Sequence, residues 1–267
     1  MTERLAILAD DFTGACDAAA PFAAAGASTL VTLGLPAEWP AGADVLAVDL
    51  DARAASDLEA RRRMAEAAAR LRTEAQLFVK IDSTLRGPVA ALIEGALEGS
   101  LARHAVVAPA FPEQGRVYVN GVFGTHNVRE ALGGIANRCR IEDDLSRVLP
   151  ESGVLLAGAG GLARRLAGAA TGSLPKAHGT VLVVSGSPAP ETHAQLQRLP
   201  PGMKVLRTPP ATERDAGEAA ALLARAAQRT NKPGLLVLTG GQTARLVCET
   251  LGVHGVRLLG EVQPGIP

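Results

Sequence analysis

Short apolar runs recur along the chain, and each ends in a polar or glycine-containing loop that leads into a helix-like segment. Residues 5–9 form the first run, and an alanine-rich stretch follows its loop and stops at Gly26. Runs at 45–48 and 77–81 repeat this order. Buried strands that alternate with helices are typical of a mostly parallel sheet with helices packed on its faces. The sequence therefore predicts an α/β fold.

A boundary between two domains is indicated near residues 171–180. The chain has 267 residues, which is enough for two domains of ordinary size. Residues 171–180 are dominated by Gly, Ser, Pro and Lys, a composition typical of an exposed linker. We expect domains at 1–172 and 178–267, each a mostly parallel sheet flanked by helices.

Composition excludes several classes of protein. Basic and acidic residues number 27 each, and no basic run marks a nucleic-acid surface. The three cysteines are far apart and the five histidines lack a ligand spacing, so neither a disulfide framework nor a zinc site is expected. No run approaches the roughly 20 apolar residues of a membrane span, and the acidic N-terminal stretch does not resemble a signal peptide. We expect a cytoplasmic protein with a small-molecule partner.

Acidic residues stand directly after the first predicted strand. In a parallel sheet, ligands gather where strands end and helices begin, and Asp10 and Asp11 lie at such a place. The pair could supply a general base, accept hydrogen bonds from a sugar or bind Mg²⁺. The alternative is that one of them caps the following helix.

Charged residues also surround the end of the third predicted strand, where Lys80, Asp82 and Arg86 follow one another closely. A guanidinium fork binds a carboxylate through two parallel hydrogen bonds, which suits an acidic substrate. The alternative is a purely structural ion pair between Asp82 and Arg86. The loop at 109–116, with Arg116 at its end, is either a functional loop or an ordinary surface one.

A glycine loop follows a strand in the second predicted domain, where Gly240, Gly241, Gln242 and Thr243 precede a helix. Such a loop lets the backbone approach a phosphate, but it is equally consistent with a plain turn. The chain has neither the GxxxxGK[ST] nor the GxGxxG nucleotide fingerprint, and the GxSxG motif of hydrolases is also missing. Residue chemistry alone indicates an α/β ligand-binding protein with the character of an enzyme.

Six ordered segments resemble the four-carbon acid-sugar kinase family, which includes 3-oxo-tetronate, D-threonate and D-erythronate kinases. The segments are LADDFTGA at 8–15, KIDSTLRG at 80–87, APAFPEQGR at 108–116, SGS at 185–187, GGQTA at 240–244 and EVQPGIP at 261–267. The resemblance implies that the N-terminal domain binds an acid sugar and that the C-terminal domain binds ATP with Mg²⁺. The γ-phosphoryl group would pass to a terminal hydroxyl of the sugar.

The resemblance also implies roles for individual residues. One of Asp10 and Asp82 would be the base, with Arg86 beside it, and Lys80 and Arg86 would hold the substrate carboxylate. The remaining sugar-binding residues would be Asp11, Ser83 and Arg116. The nucleotide would contact Ser185, Ser187, Gly240, Gly241, Gln242 and Thr243.

The chain departs from the family pattern in its length. Family members are usually much longer and continue past the proline–glycine element into a further glycine-rich segment, so we expect a shortened ATP domain. The expected function is that of an ATP-dependent kinase, and the alternative is a relative that binds acid sugars without transferring phosphate. A nicotinamide-dependent dehydrogenase is a third, more distant alternative. An open sheet edge in a shortened domain would favour a homodimer.

Overall fold

A computed structural model describes residues 4–171, 174, 179–187, 189–207, 216–230 and 233–267. The chain forms two compact units, one of residues 1–174 with 255–267 and the other of residues 175–254. Each unit has a mostly parallel sheet with helices, so the predicted α/β class is confirmed. The units divide the chain differently from the expected domains, because residues 255–267 lie with the first unit. Most of the predicted linker falls outside the described residues.

The first unit is built on an eight-stranded sheet. Its strands are β1 (Leu5–Ala9), β2 (Thr29–Leu33), β3 (Val45–Asp49), β4 (Gln76–Lys80), β5 (His104–Ala108), β8 (Cys139–Ile141), β9 (Val154–Gly158) and β13 (Gly255–Leu258). Their spatial order is β13-β2-β3-β1-β4-β9-β5-β8, and β13 alone is antiparallel to its neighbour among these described strands. A separate hairpin joins β6 (Val122–Phe123) and β7 (His126–Asn127). The central strands are buried on both faces, which explains their continuous apolar sequences.

Helices cover this sheet. They are α1 (Phe12–Ala24), α2 (Asp57–Leu71), α3 (Val89–Ser100), α4 (Val128–Leu132) and α5 (Gly160–Ala167). Leu8, Met64 and Leu92 lie in one core cluster that joins the sheet to α2 and α3. A side chain at Gly99 would overlap the Ala65 carbonyl oxygen, so the two helices pack with their backbones close together.

The second unit has a three-stranded parallel sheet with the order β11-β10-β12. Its elements are β10 (Val181–Ser185), α6 (Pro190–Gln197), β11 (Lys204–Arg207), α7 (Ala216–Gln228), β12 (Leu235–Thr239) and α8 (Gly241–Thr250). Leu182, Val184 and Val247 belong to its core. Within the described parts of both units, no helix has the length and apolar content needed to cross a membrane.

The C-terminal segment completes the first unit. Strand β13 pairs with β2, so that Gly255 lies opposite Thr32 and Leu258 opposite Thr29. After it, the amide of Gly265 donates a hydrogen bond to the Glu261 carboxylate at 2.9 Å. The second oxygen of that carboxylate pairs with the guanidinium of Arg164 on α5.

Candidate functional site

Three neighbouring strands of the first unit bring charged side chains together at their carboxyl ends. Asp10 follows β1, Arg53 lies in the loop after β3, and Asp82 follows β4. The guanidinium of Arg53 binds Asp10 through two hydrogen bonds, one of them 2.8 Å from Nη2 to Oδ1. It also lies 3.2 Å from Asp11 and 3.4 Å from Asp82. We call these four residues the Arg53 cluster.

Arg53 is the member of this cluster that sequence reasoning missed. Its backbone amide and that of Ala52 donate to the Asp10 carbonyl at 3.0 and 2.8 Å, so the loop after β3 is tied to the end of β1. Gly87 adopts φ +83°, and a Cβ there would lie 3.3 Å from both Asp10 Oδ2 and Arg53 Cδ. Burial acts to lower the pKa of Arg53, but contact with the Asp10 carboxylate raises it above its ordinary value.

Asp10 is sealed inside the cluster. Its side chain has 0% exposure, and both of its carboxylate oxygens accept from Arg53. Burial raises the pKa of Asp10, while the hydrogen bonds and charge of Arg53 oppose that effect. The predicted site residue Asp10 is therefore at the site, but the guanidinium covers it.

Asp82 holds the loop that follows it. Its carboxylate accepts from the Thr84 amide at 2.9 Å, the Thr84 hydroxyl at 2.6 Å and Arg86 Nη2 at 2.7 Å. Burial acts to raise the pKa of Asp82, but these hydrogen bonds and Arg53 outweigh it and hold that pKa well below its ordinary value. The ion pair with Arg86 named as the structural alternative is thus present. A carboxylate held this strongly in its charged form is a weak proton acceptor.

Asp11 is the N-cap of α1. Its Oδ1 accepts from the Gly14 amide at 2.7 Å, and the Thr13 hydroxyl approaches Oδ2 at 3.3 Å. A side chain at Gly14 would overlap Asp11 Oδ1, which explains why glycine stands there. Of the two aspartates, Asp11 and not Asp10 is therefore the one that caps the helix.

Lys80 lies in a second charged group of the first unit. Its Nζ donates to the Ile81 carbonyl at 3.1 Å and lies 3.8 Å from Asp17 Oδ2. Burial raises the pKa of Asp17, with the nearby Lys80 charge acting against it. A Cβ at Gly160 would come within 2.7 Å of Asp17 Oδ2, so this carboxylate sits against the start of α5. Sequence reasoning missed Asp17 because it stands inside an alanine-rich helix.

Ser83 and Arg116 are brought together although they lie in different predicted loops. The Arg116 guanidinium donates to the Ser83 hydroxyl. The buried Tyr118 hydroxyl donates to the Ser83 carbonyl at 2.8 Å, and burial raises the pKa of Tyr118 to about 12. The loop after β5 is thus fastened to the loop after β4.

Two glycine loops pack against each other in the second unit. The Ser185 hydroxyl accepts from Thr239 Oγ1 at 3.0 Å. A Cβ at Gly186 would overlap Thr243 Oγ1 and lie 2.9 Å from Thr243 Cβ. Gly240, with φ +91°, would place a Cβ 3.0 Å from the Ser187 nitrogen. These contacts bring the loops so close that only glycine fits at 186 and 240.

Helix α8 begins at this pair of loops. Its N-cap, Gly240, offers no side-chain hydrogen bond to the first turn, and Gln242 in that turn is exposed. The amides of an uncapped first turn can bind an anion such as a phosphate group. Gly241 and Thr243 belong to the same turn, so the predicted nucleotide residues lie close together in the second unit, with Ser185 and Thr243 buried.

No metal-binding cluster accompanies these residues. Across the described segments, no group of three or more His, Cys, Asp or Glu residues could hold a metal ion. Cys16, Cys139 and Cys248, all within the described residues, form no disulfide bond.

Comparison with known proteins gives matches in both the N-terminal and the C-terminal part of the chain. A family model described as a sugar-binding N-terminal domain matches residues 5–137, and a model described as a nucleotide-binding C-terminal domain matches residues 211–267. The D-threonate kinase of Cupriavidus necator is 30% identical over 374 aligned positions, which cover 98% of this chain and 89% of that kinase. The D-erythronate kinase of Heliobacterium modesticaldum is 40% identical over 134 residues, covering 47% of this chain and 30% of that kinase.

One related crystal structure is also informative. It is a domain of unknown function from Bordetella bronchiseptica, a domain-swapped dimer with bound citrate. It is 26% identical, covers 93% of this chain and 86% of that chain, and superposes with a TM-score of 0.51. The similarity therefore extends along nearly the whole sequence and includes both units.

Proposed function

This chain belongs to the four-carbon acid-sugar kinase family, and from that membership we propose that it transfers the γ-phosphoryl group of ATP to the terminal hydroxyl of a four-carbon sugar acid. The observation that carries the proposal is the match to D-threonate kinase over 98% of the chain. The substrate would be of the threonate, erythronate or 3-oxo-tetronate type. Phosphoryl transfer depends mainly on positioning the reactants and neutralising their charge. The charged loops after β1, β3 and β4 of the first unit could supply both.

The sugar acid would bind in the first unit, beside the Arg53 cluster. Arg86 supports this placement, because its Nε and Nη2 contact Asp82 while 67% of its side chain remains exposed. We propose that Arg86 holds the substrate carboxylate, with Ser83 and Arg116 along the edge of the site. Lys80 is buried and would contribute its positive charge to the site. The contacts of Asp10 and Asp82 favour a role in fixing the two arginines over that of a proton acceptor.

The nucleotide would bind in the second unit, at the loops that carry Gly186 and Gly240. Gly240 and Gly241 have no side chains that could cover the backbone amides at the start of α8, which fits a phosphate chain. Ser185, Ser187 and Thr243 would contribute hydroxyls, and Gly241 and Gln242 backbone amides. We propose that Mg²⁺ arrives with the phosphates of ATP, since the described residues offer no ligand cluster of their own for it.

A second function is favoured by one observation. The alignment with D-threonate kinase spans 374 positions, whereas the chain has 267 residues, so about a hundred positions of the relative have no counterpart here. A chain without those positions could bind acid sugars and lack the transfer step. Such a protein would serve as a binding partner or sensor.

We further propose a homodimer in the cytoplasm. The Bordetella bronchiseptica relative crystallised as a domain-swapped dimer, and strands β11 and β12 of this chain are edge strands of their sheet. Dependence on ATP and three cysteines that form no disulfide are consistent with a reducing compartment. A monomer mass in light scattering would contradict the dimer.

We expect the purified chain to release ADP from Mg²⁺–ATP only when one of the four-carbon acids is present. The measurement is a coupled ADP assay over a panel of threonate, erythronate and 3-oxo-tetronate. Erythritol and threitol, which lack the carboxylate, are the matched controls and should give background rates. Calorimetric binding of an acid without ADP release would favour the binding function, and the absence of both would contradict either proposal.

A further inference from the structure

The three carboxylates of the Arg53 cluster differ in how far a substrate hydroxyl could reach them. Asp10 is fully enclosed and both of its oxygens accept from Arg53. Asp82 has 7% exposure, and its oxygens accept from Thr84 and Arg86. Asp11 has 21% exposure, the largest of the three. Access alone therefore singles out Asp11.

The two oxygens of Asp11 are used unequally. Oδ1 accepts from the Gly14 amide at 2.7 Å and lies 3.2 Å from Arg53 Nη2. Oδ2 accepts a hydrogen bond from the Thr13 hydroxyl at 3.3 Å, which is long for such a bond. Within the described residues, it is the one hydrogen bond to that atom. One oxygen thus fixes the carboxylate in place, and the other is left for a further donor.

We propose that Asp11, and not Asp10 or Asp82, is the general base that accepts the proton of the substrate hydroxyl. This assignment rests on the proposed kinase function. As the hydroxyl oxygen bonds to the γ-phosphorus, its O–H bond breaks and the proton passes to Asp11 Oδ2, while the bond to ADP breaks and ADP leaves. Asp10 and Asp82 hold Arg53, and Arg53 with the Gly14 amide orients Asp11.

The competing explanation is that Asp11 only caps α1, and the variant Asp11→Asn separates the two roles. Asparagine caps helices as well as aspartate, so its side-chain oxygen can accept from Gly14, but its amide cannot take up a proton. We expect Asp11→Asn to keep a melting temperature close to that of the wild type and to lose at least about a hundredfold in kcat. Asp11→Ala is the matched control, and it should lose kcat and also melt about 2–4 °C lower.

The pH dependence of kcat/KM gives a second measurement, and the loss of a helix cap alone would not alter it. If Asp11 is the base, the acidic limb of kcat/KM in the wild type should vanish from the residual activity of Asp11→Asn. Wild-type kcat in Asp11→Asn would overturn the proposal, and so would a reduced kcat with an unchanged acidic limb. Should Asp11→Asn fail to preserve the melting temperature, Asp11→Ser, which also caps, replaces it in the same comparison. A wild-type chain without ADP release would instead refute the kinase function, and this assignment with it.

Discussion

Arg53→Met is expected to lower the free energy of unfolding by about 3–5 kcal/mol and to reduce acid-dependent turnover by about a hundredfold or more. Removing the guanidinium leaves Asp10 buried without its ion-pair partner and leaves Asp11 and Asp82 without a shared neighbour. Leaving a buried carboxylate unpaired destabilises the folded state more than the loss of an exposed ion pair does. The measurement is urea denaturation of both proteins, combined with the ADP assay.

The matched control is Arg61→Met on α2. Arg61 also binds two carboxylates, those of Glu94 and Glu98, but its side chain is 41% exposed. Exposed pairs of this kind contribute little to stability, so we expect only a small loss in Arg61→Met. Equal stability losses in the two variants would show that the Arg53 cluster is no more than a surface ion pair.

The stability loss of Arg53→Met should also depend on pH. Burial raises the pKa of Asp10 in the folded state, and without Arg53 nothing as close opposes that effect. A carboxyl with a raised folded-state pKa is bound to a proton more readily in the folded than in the unfolded chain, so low pH favours the folded variant. We therefore expect the difference from wild type to be full above the folded-state pKa of Asp10 and to shrink as pH falls through that pKa towards the unfolded-state value.

Gly186→Ala is expected to raise the KM for ATP at least about tenfold and to destabilise the second unit by about 1–3 kcal/mol. The new Cβ would overlap Thr243 Oγ1, so the start of α8 must move away from the loop after β10. The amides proposed to bind phosphate move with it. Steady-state kinetics with varied ATP and thermal unfolding are the measurements.

The control for this variant is Gly134→Ala, where a Cβ would have no neighbour within 4 Å. It should leave both the KM for ATP and the melting temperature near wild-type values. Calorimetric binding of the acid should survive in Gly186→Ala, because the proposed acid site belongs to the first unit. An unchanged KM for ATP in a folded Gly186→Ala protein would place the nucleotide away from these loops.

Local chemistry made much of the fold predictable. The run at 5–9 is apolar and is followed at once by Asp10, and β1 has those same bounds. The cap of α1 also depends only on neighbours in sequence, since Asp11 and Gly14 are three residues apart. Strand β13 could not be predicted, because its partner β2 lies near the other end of the chain.

The site was predictable only in part, and for the same reason. Motif residues such as Asp82 and Arg86 meet through one short loop, so their ion pair follows from the sequence. Nothing in the sequence near Arg53 distinguishes it from Arg61 or Arg63, which lie on α2 and pair with glutamates. The spatial order β3-β1-β4 gives Arg53 its role, because it sets the loop after β3 beside Asp10. Long-range neighbours of this kind are a property of topology and not of local pattern.

The return of residues 255–267 to the first unit has a consequence for how the protein is made. A ribosome completes residues 1–174 and then the whole of 175–254 before the strand that pairs with β2 emerges. During that interval the outer edge of β2 has no partner strand, and an unpaired edge is a template for association with other chains. The second unit can form its local contacts earlier, because all of its strands lie within one continuous stretch. Synthesis of β13 is thus the step at which β2 becomes an interior strand of the nascent first unit.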